Sequence, residues 1–225
     1  MTDDHWPDYY AVTVDRPAWQ TVTGAIALFA AEDEPAAEDG PAAADQPAAE
    51  DEPSAEDEPG APARFAVDLG CGAGRDAREL LRHGWHVLAV DLEQTAIDAL
   101  VAATPDEDRP RLRTQVADIA SFDIPACDLV NASVSLQFLE EDAYARAFER
   151  ITAALAPGGR FSGLLYGDRD GAASDPDVTC PSPDAMRDYL RDFEIESWLE
   201  REEDGKMALG DPHHIHLIEV VARRR

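Results

Sequence analysis

The sequence predicts an α/β protein built on a doubly wound, mostly parallel seven-stranded sheet that ends in an antiparallel C-terminal hairpin. Between residues 64 and 166, short apolar runs alternate with stretches of helical periodicity, which is the pattern of parallel strands joined by right-handed crossovers. After residue 190, two further strand-like runs are separated only by a polar loop, and this indicates an antiparallel pair. A chain of 225 residues is long enough for one domain of this kind.

The individual elements follow from apolar spacing and from helix stop signals. Pro157 ends a helix and the two glycines after it turn the chain, so the next strand begins at residue 160. In chain order, we predict a strand at 64–69, a helix at 75–83, a strand at 86–90, a helix at 94–103, strands at 111–116 and 127–132, a helix at 140–155, a turn at 156–159, a strand at 160–166, a helix at 184–190, and strands at 193–199 and 214–221.

The residues before the sheet divide into two segments. Residues 1–29 contain a predicted helix at 18–29 that packs on the core, preceded by an aromatic stretch at 6–10. We interpret that stretch as a loop that anchors the terminus, with a lid over a ligand as the alternative. Residues 30–62 carry five tandem hexapeptides of the type AAEDEP and are predicted to be a disordered acidic linker, with a docking arm as the alternative. The folded domain is expected at 63–225.

Charge and cysteine content restrict the partners and the compartment. The chain has 47 acidic against 19 basic residues and a formal net charge of −28, so its surface repels nucleic-acid phosphates. The three cysteines, Cys71, Cys127 and Cys180, form no C-x-x-C pair, which argues against a disulfide framework or a zinc ribbon. No signal peptide and no membrane-length apolar run is recognisable in the sequence. We therefore expect a cytoplasmic protein that binds neither nucleic acid nor membrane.

A glycine-rich turn follows the first predicted strand of the sheet. Gly70, Gly72 and Gly74 come directly after Val67-Asp68-Leu69, and Asp91 ends the second strand. In an open parallel sheet, ligands bind beyond the carboxyl ends of the strands, where glycines allow the backbone to approach them. A dinucleotide fingerprint would need its third glycine at position 75, which is Arg75, so a nicotinamide cofactor is disfavoured.

Together with the turn Leu155-Ala156-Pro157-Gly158-Gly159, these residues resemble the class I S-adenosylmethionine (SAM) dependent methyltransferases over residues 64–222. Within that family, Gly74-Arg75-Asp76, Gly84-Trp85-His86-Val87 and the ending 216–223 are similar to the small-molecule enzymes of the tellurite-resistance and thiopurine methyltransferase-like group. The resemblance implies a Rossmann-like fold, SAM as cofactor and a small-molecule methyl acceptor.

The resemblance also implies a role for each residue of the cofactor site. Asp68 would fix the amino group of SAM or the glycine loop, and Asp91 would accept hydrogen bonds from both ribose hydroxyls. The remaining cofactor residues would be Gly70, Cys71, Gly72 and Gly74 in the loop, Leu92, Asp118 and Ile119 around the adenine, and Asn131, Ala132 and Ser133 on the sulfonium side.

Substrate-side and catalytic residues are harder to assign, because methyl transfer needs mainly the alignment of nucleophile and methyl carbon. Gln137 is expected on the substrate side, and Arg75 and Arg169 are candidates for orienting an anionic substrate, with a structural ion-pairing role as the alternative. A base is required only for a protonated acceptor, and the candidates are Tyr10, Asp168, His213 and His214.

His214 and His216 share one face of the predicted strand at 214–221, and His213 beside them would point the opposite way. No metal site is therefore predicted there. The predicted function is therefore an enzyme that transfers a methyl group from SAM to a small molecule by in-line displacement. The alternatives are a SAM-binding protein without turnover and a nicotinamide-dependent oxidoreductase.

Overall fold

The computed structural model describes residues 6–33 and 63–225. Two helices, α1 (Trp6–Thr13) and α2 (Gln20–Asp33), precede the sheet. The elements after residue 63 are, in chain order, β1 (Phe65–Leu69), α3 (Arg75–Arg82), β2 (His86–Asp91), α4 (Gln94–Ala103), β3 (Leu112–Val116), β4 (Cys127–Ser133), α5 (Glu141–Ala154), β5 (Leu155–Tyr166), α6 (Pro183–Tyr189), β6 (Phe193–Lys206) and β7 (Pro212–Arg224).

The seven strands form one sheet in the order β3-β2-β1-β4-β5-β7-β6. Strands β1 to β5 pair in parallel, while β7 is antiparallel to both β5 and β6. The strand order reverses beside β1, where the chain first runs outward through β2 and β3 and then returns to β4. The predicted mostly parallel sheet with a C-terminal hairpin is confirmed.

Helices cover both faces of the sheet, which explains the near-continuous apolar character of its central strands. Helices α2, α3 and α4 pack on one face, where Phe29, Leu80 and Leu100 contact the strands. Helix α5 covers the other face through residues such as Tyr144 and Ile151, and α6 lies beside it. The central strands are therefore closed to solvent on both sides, and their carboxyl ends provide the sheet edge at which a ligand can enter.

Several predicted boundaries differ from the structure. Strands β6 and β7 are longer than the strands predicted at 193–199 and 214–221. Residues 6–10, expected as a loop, belong to α1, because Pro7 lies in the first helical turn, where its missing N–H costs no hydrogen bond. Helix α2 continues through residues 30–33, which were assigned to the linker, while the remaining linker residues, 34–62, lie outside the described residues. The predicted turn at 156–159 lies within β5, where it bulges from the ladder between the pairs Cys127–Leu155 and Leu129–Arg160.

A buried arginine fastens α2 to the sheet. The side chain of Arg160 in β5 is 1% exposed and donates to Glu32 at 2.8 Å and to Glu196 at 2.7 Å. Its guanidinium also lies 4.3 Å from the centre of the Phe29 ring. Because both carboxylates compensate one buried charge, the helix is held by a paired network and by apolar packing together.

The chain leaves α2 and returns to β1 at one place on the surface. Arg64 Nη2 lies 2.6 Å from Asp33 Oδ1, so the two ends that flank residues 34–62 are joined by an ion pair. Replacing residues 34–62 by a six-residue glycine-serine spacer is therefore expected to leave the free energy of unfolding and the affinity for S-adenosylhomocysteine unchanged. Denaturant unfolding and calorimetric titration measure both quantities, and loss of ligand binding in the shortened protein would contradict this expectation.

In the part of the chain that the structure describes, no helix combines the length and apolar character needed to cross a membrane.

Candidate active site

A cavity of about 640 Å³ opens at the carboxyl ends of β1, β2 and β4. Its floor includes the glycine turn after β1 and Asp91 at the end of β2, and its cover comes from α1 and from the turn between β6 and β7. The volume lies within the range of small-molecule and cofactor sites, and the position is where α/β sheets bind ligands.

The glycine turn is held tightly against its neighbours. The backbone N–H groups of Gly70 and Cys71 both donate to Val90 O, at 2.8 and 3.0 Å. Gly70 has a φ of +69°, and a Cβ at this position would overlap the Cβ of Ser135. Ser135 is itself fixed, because its hydroxyl donates to Leu69 O at 2.7 Å. Only glycine satisfies both the left-handed conformation and the close approach at Gly70.

Asp91 is a buried carboxylate that connects this turn to β2. Its Oδ2 accepts from the N–H of Gly72 at 2.8 Å, and its Oδ1 accepts from the N–H of Glu93 at 3.0 Å. Each carboxylate oxygen can accept a second hydrogen bond, so two hydroxyl groups of a ligand can still be bound. Burial raises the pKa of Asp91, and the backbone hydrogen bonds partly offset that rise.

Asp68 lies on the other side of the turn in a small carboxylate network. Asn131 Nδ2 donates to Asp68 Oδ1 at 2.7 Å and to Asp76 Oδ2 at 3.2 Å. The second oxygen of Asp68, Oδ2, is buried and has no hydrogen-bond partner. Burial and then the carboxylate of Asp76 raise the pKa of Asp68. A ligand carrying a positively charged donor would satisfy the unpaired oxygen.

Aromatic side chains of α1 cover the glycine turn. A Cβ at Gly72 would lie 3.6 Å from the Tyr10 ring, in ordinary contact. Trp6 stacks on Tyr10 with ring centres 6.0 Å apart and meets Phe138 edge-on at 5.8 Å. Tyr9 lines the same cavity. Residues 6–10 therefore lie over the cavity, as the lid alternative requires, and they also anchor the N-terminal segment.

A histidine and a carboxylate meet at the hairpin side of the cavity. His213 Nε2 lies 2.6 Å from Asp170 Oδ1, and His213 lines the cavity beside Tyr166. Asp170 is 4% exposed and also accepts from the N–H of His216 at 3.0 Å, so its position is fixed. A carboxylate that orients an imidazole is the usual arrangement of a general base.

The candidate base Tyr10 has a different environment. Burial, followed by the charge of Asp91, raises the pKa of its hydroxyl, which therefore stays protonated at neutral pH. In this state Tyr10 can donate a hydrogen bond but cannot accept a proton from an acceptor molecule.

One residue of the cavity lining, Val134, has a strained backbone conformation. Val134, directly after β4, has a φ of +56° although it is β-branched, and it lines the cavity. Its N–H donates to Leu164 O at 2.7 Å, which holds this conformation in place. Strain of this kind is common at functional sites and persists only where the surroundings enforce it.

The structure brings most of the predicted site residues to the cavity. Those that line it are Asp68, Gly70, Cys71, Gly72, Asp91, Leu92, Asp118, Ile119, Ser133, Arg75, Tyr10 and His213. Arg75 is engaged structurally at the same time, because its Nε donates to Pro17 O at 2.7 Å and its guanidinium lies over the Trp19 ring.

Other predicted residues lie away from the cavity lining. Gly74 packs against Leu100, and Asn131 acts behind Asp68 through their hydrogen bond. Gln137, expected on the substrate side, is fully buried. The remaining residues outside the lining are Ala132, which is also fully buried, and Asp168, Arg169 and His214, which form ion pairs with their neighbours, Arg169 with Glu200 and Glu202 and His214 with Asp204.

The sequence predicted the cover of the cavity only in part, through the lid alternative at residues 6–10. The density of aromatic residues at 6–10 was a usable signal for α1. No sequence signal marked the residues of the β6–β7 hairpin, because they reach the cavity only through the length of these two paired strands. The main additions are Trp6, Tyr9, Trp19, Val134, Ser135, Phe138, Tyr166, Arg201, Lys206, Met207 and Leu209.

Within residues 6–33 and 63–225, no group of three or more His, Cys, Asp or Glu side chains is arranged to hold a metal ion.

Comparisons with known proteins agree with this geometry. A family described as "Methyltransferase domain" matches residues 66–159. Trans-aconitate 2-methyltransferase from Delftia acidovorans is 36% identical over 105 residues, which are 44% of this chain and 37% of that protein. The chain spans about a third of the length of the curated relatives that it matches, 33% and 37%.

Solved structures share the fold. TehB from Haemophilus influenzae superposes with a TM-score of 0.63 and 19% identity, covering 73% of this chain and 58% of TehB. The 1,6-didemethyltoxoflavin-N1-methyltransferase from Burkholderia thailandensis, solved with 1,6-didemethyltoxoflavin and S-adenosylhomocysteine, has a TM-score of 0.56 and 23% identity over 72% of this chain and 71% of that enzyme. The predicted family resemblance is thus supported by two findings: residues 66–159 match a methyltransferase-domain family, and the fold is shared with solved methyltransferase structures.

Proposed function

We propose that this protein transfers a methyl group from SAM to a small-molecule acceptor. The observation that carries the proposal is the pair of buried carboxylates, Asp68 and Asp91, that flank one glycine turn and line one cavity. They leave free the acceptor sites that an aminoacyl nucleoside needs, one oxygen for an ammonium group and two for a vicinal diol.

The residues around these carboxylates fit the rest of SAM. Leu92 is 64% exposed beside the cavity and offers an apolar surface to a base. Asp118 and Ile119 lie after β3, where a carboxylate and a backbone N–H can recognise an adenine. When bound, SAM supplies a methyl carbon activated by its sulfonium. The protein contributes alignment, since an in-line displacement depends on a near-attack geometry.

His213 is the residue best suited to act as a base. In the proposed reaction, the acceptor atom bonds to the methyl carbon as the carbon–sulfur bond breaks, and its proton passes to His213. Asp170 orients the imidazole through its hydrogen bond with Nε2. Tyr10, with a raised pKa, serves as a hydrogen-bond donor over the glycine turn.

Two alternatives remain to be separated by experiment. A nicotinamide-dependent oxidoreductase is disfavoured, because Arg75 occupies the third glycine position of a dinucleotide fingerprint and is fastened to Pro17. A protein that binds SAM without turnover would keep the Asp68 and Asp91 sites and lack a productive acceptor site.

The acidic net charge of −28 and three free thiols favour a cytoplasmic enzyme that acts on small molecules and not on nucleic acid or membranes.

Calorimetric titration with SAM, S-adenosylhomocysteine and NADH tests the proposal. We expect micromolar binding of the first two ligands and none of NADH, followed by methyl transfer in a screen of small acceptors. Binding of NADH alone would favour the oxidoreductase. Binding of SAM with no turnover across the screen would favour the protein without catalytic activity, and no binding of any ligand would refute the cofactor site.

The raised pKa of Asp68 predicts that ligand binding is linked to protons. Only the ionised carboxylate pairs well with the ammonium group of S-adenosylhomocysteine, so affinity should fall as the pH falls through the raised pKa. Binding near neutral pH should release protons, which titration in buffers of different ionisation enthalpy detects. Asp68→Asn should bind more weakly and lose this proton release, whereas release of the same size in the variant would assign it to another group.

A further inference from the structure

The hairpin side of the cavity carries positive charge, which is unusual in a chain with 47 acidic and 19 basic residues. Arg201 and Lys206 of β6 line the cavity, and so does Arg16 from the segment between α1 and α2. Arg16 Nη2 donates to Ala208 O at 3.3 Å, so these two covering elements meet beside the cations. The charge belongs to the elements that close over the site.

Arg201 has hydrogen-bonding capacity left over. Its Nε is buried without a hydrogen-bond partner, although an N–H in this situation normally finds one. Its only ion pair among the described residues is with Glu203, at 3.6 Å and with both side chains more than 40% exposed. A long, exposed pair of this kind contributes little, so the guanidinium remains available to a ligand.

Lys206 is the single lysine of the chain. It is exposed at the cavity, and within the described parts of the chain it has neither an ion pair nor a side-chain hydrogen bond. Elsewhere in this protein arginine serves as the structural cation, as Arg160 and Arg169 do in their ion pairs. An ammonium group without a partner is suited to binding an anion that enters the cavity.

The acidic residues at the cavity do not cancel this charge. Five of them, Asp68, Asp76, Asp91, Glu93 and Asp118, lie around the glycine turn and the ends of β2 and β3, in what we call the proposed cofactor half. Asp170 is saturated by His213 and by backbone N–H groups. On the hairpin turn, Asp211 is the acidic residue that lines the cavity, and it is exposed to solvent. The hairpin side of the cavity, which we call the acceptor half, therefore presents three cations, Arg16, Arg201 and Lys206, against one solvated carboxylate, Asp211.

The remaining walls of the acceptor half are aromatic. Tyr9, Phe138 and Tyr166 line it together with Trp6. Flat side chains pack best on flat, mostly apolar molecules. Cations at one end and aromatic walls beside them together fit a ligand that has an anionic group and a flat apolar body.

We propose that the methyl acceptor is a small carboxylate with a flat apolar body, and that Arg201 and Lys206 bind its carboxylate. This inference rests on the proposed methyltransferase function and specifies its substrate class. The guanidinium of Arg201 can hold a carboxylate through parallel hydrogen bonds, while Lys206 adds a point charge. Held in this way, the acceptor extends between the aromatic walls toward His213.

A matched pair of probes tests the charge requirement. 4-Hydroxybenzoate and 4-hydroxybenzamide share ring and hydroxyl group and differ in the carboxylate. We expect the protein saturated with S-adenosylhomocysteine to bind the carboxylate at least about tenfold more tightly than the amide, the effect of one charge-assisted hydrogen bond. Arg201→Met and Lys206→Met should each reduce this preference, and Lys206→Arg should keep it. Equal binding of the two probes, or no saturable binding of either, would refute the inference.

The single lysine provides a second readout that does not depend on the cofactor. An amine-directed reagent labels Lys206, and peptide mass spectrometry separates it from the terminal amine. 4-Hydroxybenzoate should slow this labelling with or without S-adenosylhomocysteine, whereas 4-hydroxybenzamide should not. Failure of S-adenosylhomocysteine to bind while 4-hydroxybenzoate still protects Lys206 would refute the proposed function alone. Binding of the cofactor product without protection would refute only the carboxylate assignment.

Two controls separate the loss of a cation at this site from a change in net charge and from unfolding of the hairpin. Arg113→Met removes an exposed cation of β3 that does not line the cavity, and it should leave the probe preference unchanged. Thermal unfolding of each variant verifies that the hairpin is intact. A loss of preference in Arg113→Met equal to that in Arg201→Met would assign the effect to net charge and not to this site.

Discussion

Gly70→Ala is expected to abolish saturable binding of S-adenosylhomocysteine. The added methyl group overlaps Ser135, which is itself held by Leu69, and the φ of +69° disfavours any side chain. The strain and the overlap together cost on the order of 2 to 4 kcal/mol. The cheapest relief is a displacement of the glycine turn, which removes the N–H of Gly72 from Asp91 and so disturbs both sides of the cofactor site.

Gly84→Ala is the matched control for this substitution. Gly84 has a φ of +82°, but a Cβ there would meet no atom within 4 Å. The control therefore carries the backbone strain without the overlap, and it should bind S-adenosylhomocysteine with unchanged affinity. Calorimetric titration and denaturant unfolding of both variants separate the two effects. Normal binding by Gly70→Ala would mean that the turn is not part of the cofactor site.

Asp91→Ala is expected to weaken the binding of S-adenosylhomocysteine by about 1 to 3 kcal/mol, or roughly fivefold to more than a hundredfold. The substitution removes the acceptors proposed for the ribose hydroxyls and also the partner of the Gly72 N–H. Asp91→Asn keeps one acceptor oxygen and should lose less. Its affinity should lie between those of the wild type and the alanine variant.

Glu107→Ala is the control for the loss of one negative charge. Glu107 is exposed between α4 and β3 and does not line the cavity, so its removal should not change the affinity. Titration of the four proteins under one set of conditions gives the comparison. If Asp91→Ala and Glu107→Ala bound equally well, the carboxylate of Asp91 would have no role in cofactor recognition.

Many helices and strands could be predicted closely, because the residues that specify each of them are near one another in the sequence. The helix predicted at 94–103 coincides with α4, since its apolar residues repeat with helical spacing and place Ile97 and Leu100 on the core. Helix α1 was missed for the opposite reason. It has eight residues and is stabilised by contacts with distant parts of the chain, such as the hydrogen bond from Arg78 to Val14 O.

The residues of the proposed cofactor half could also be recognised in the sequence. Asp68, the glycines and Asp91 occur at strand ends, and the parallel topology brings those ends together. The acceptor half was not visible. Arg201 and Lys206 reach the cavity because β6 and β7 are paired strands of 14 and 13 residues that extend past the core, and neither residue has a recognisable motif. Gln137 was expected on the substrate side because it follows the end of β4 closely in sequence, but its side chain is wholly buried. Sequence distance from a strand end therefore does not tell which side chains face the cavity.

Asp33 and Arg64 form an ion pair, so residues 34–62 connect two points of the chain that already lie side by side. Helix α1 and the glycine turn that it covers belong to two chain segments whose only covalent connection is residues 34–62. That connection acts as a tether, and it sets the effective concentration of one segment over the other. For the flexible chain that the sequence predicts, each doubling of tether length changes the closure free energy by only about 0.6 kcal/mol. Hexapeptide repeats can therefore be gained or lost in evolution at little cost, and a peptide of residues 1–33, added in trans at sufficient concentration, should complete the site of a protein that begins at Ala63.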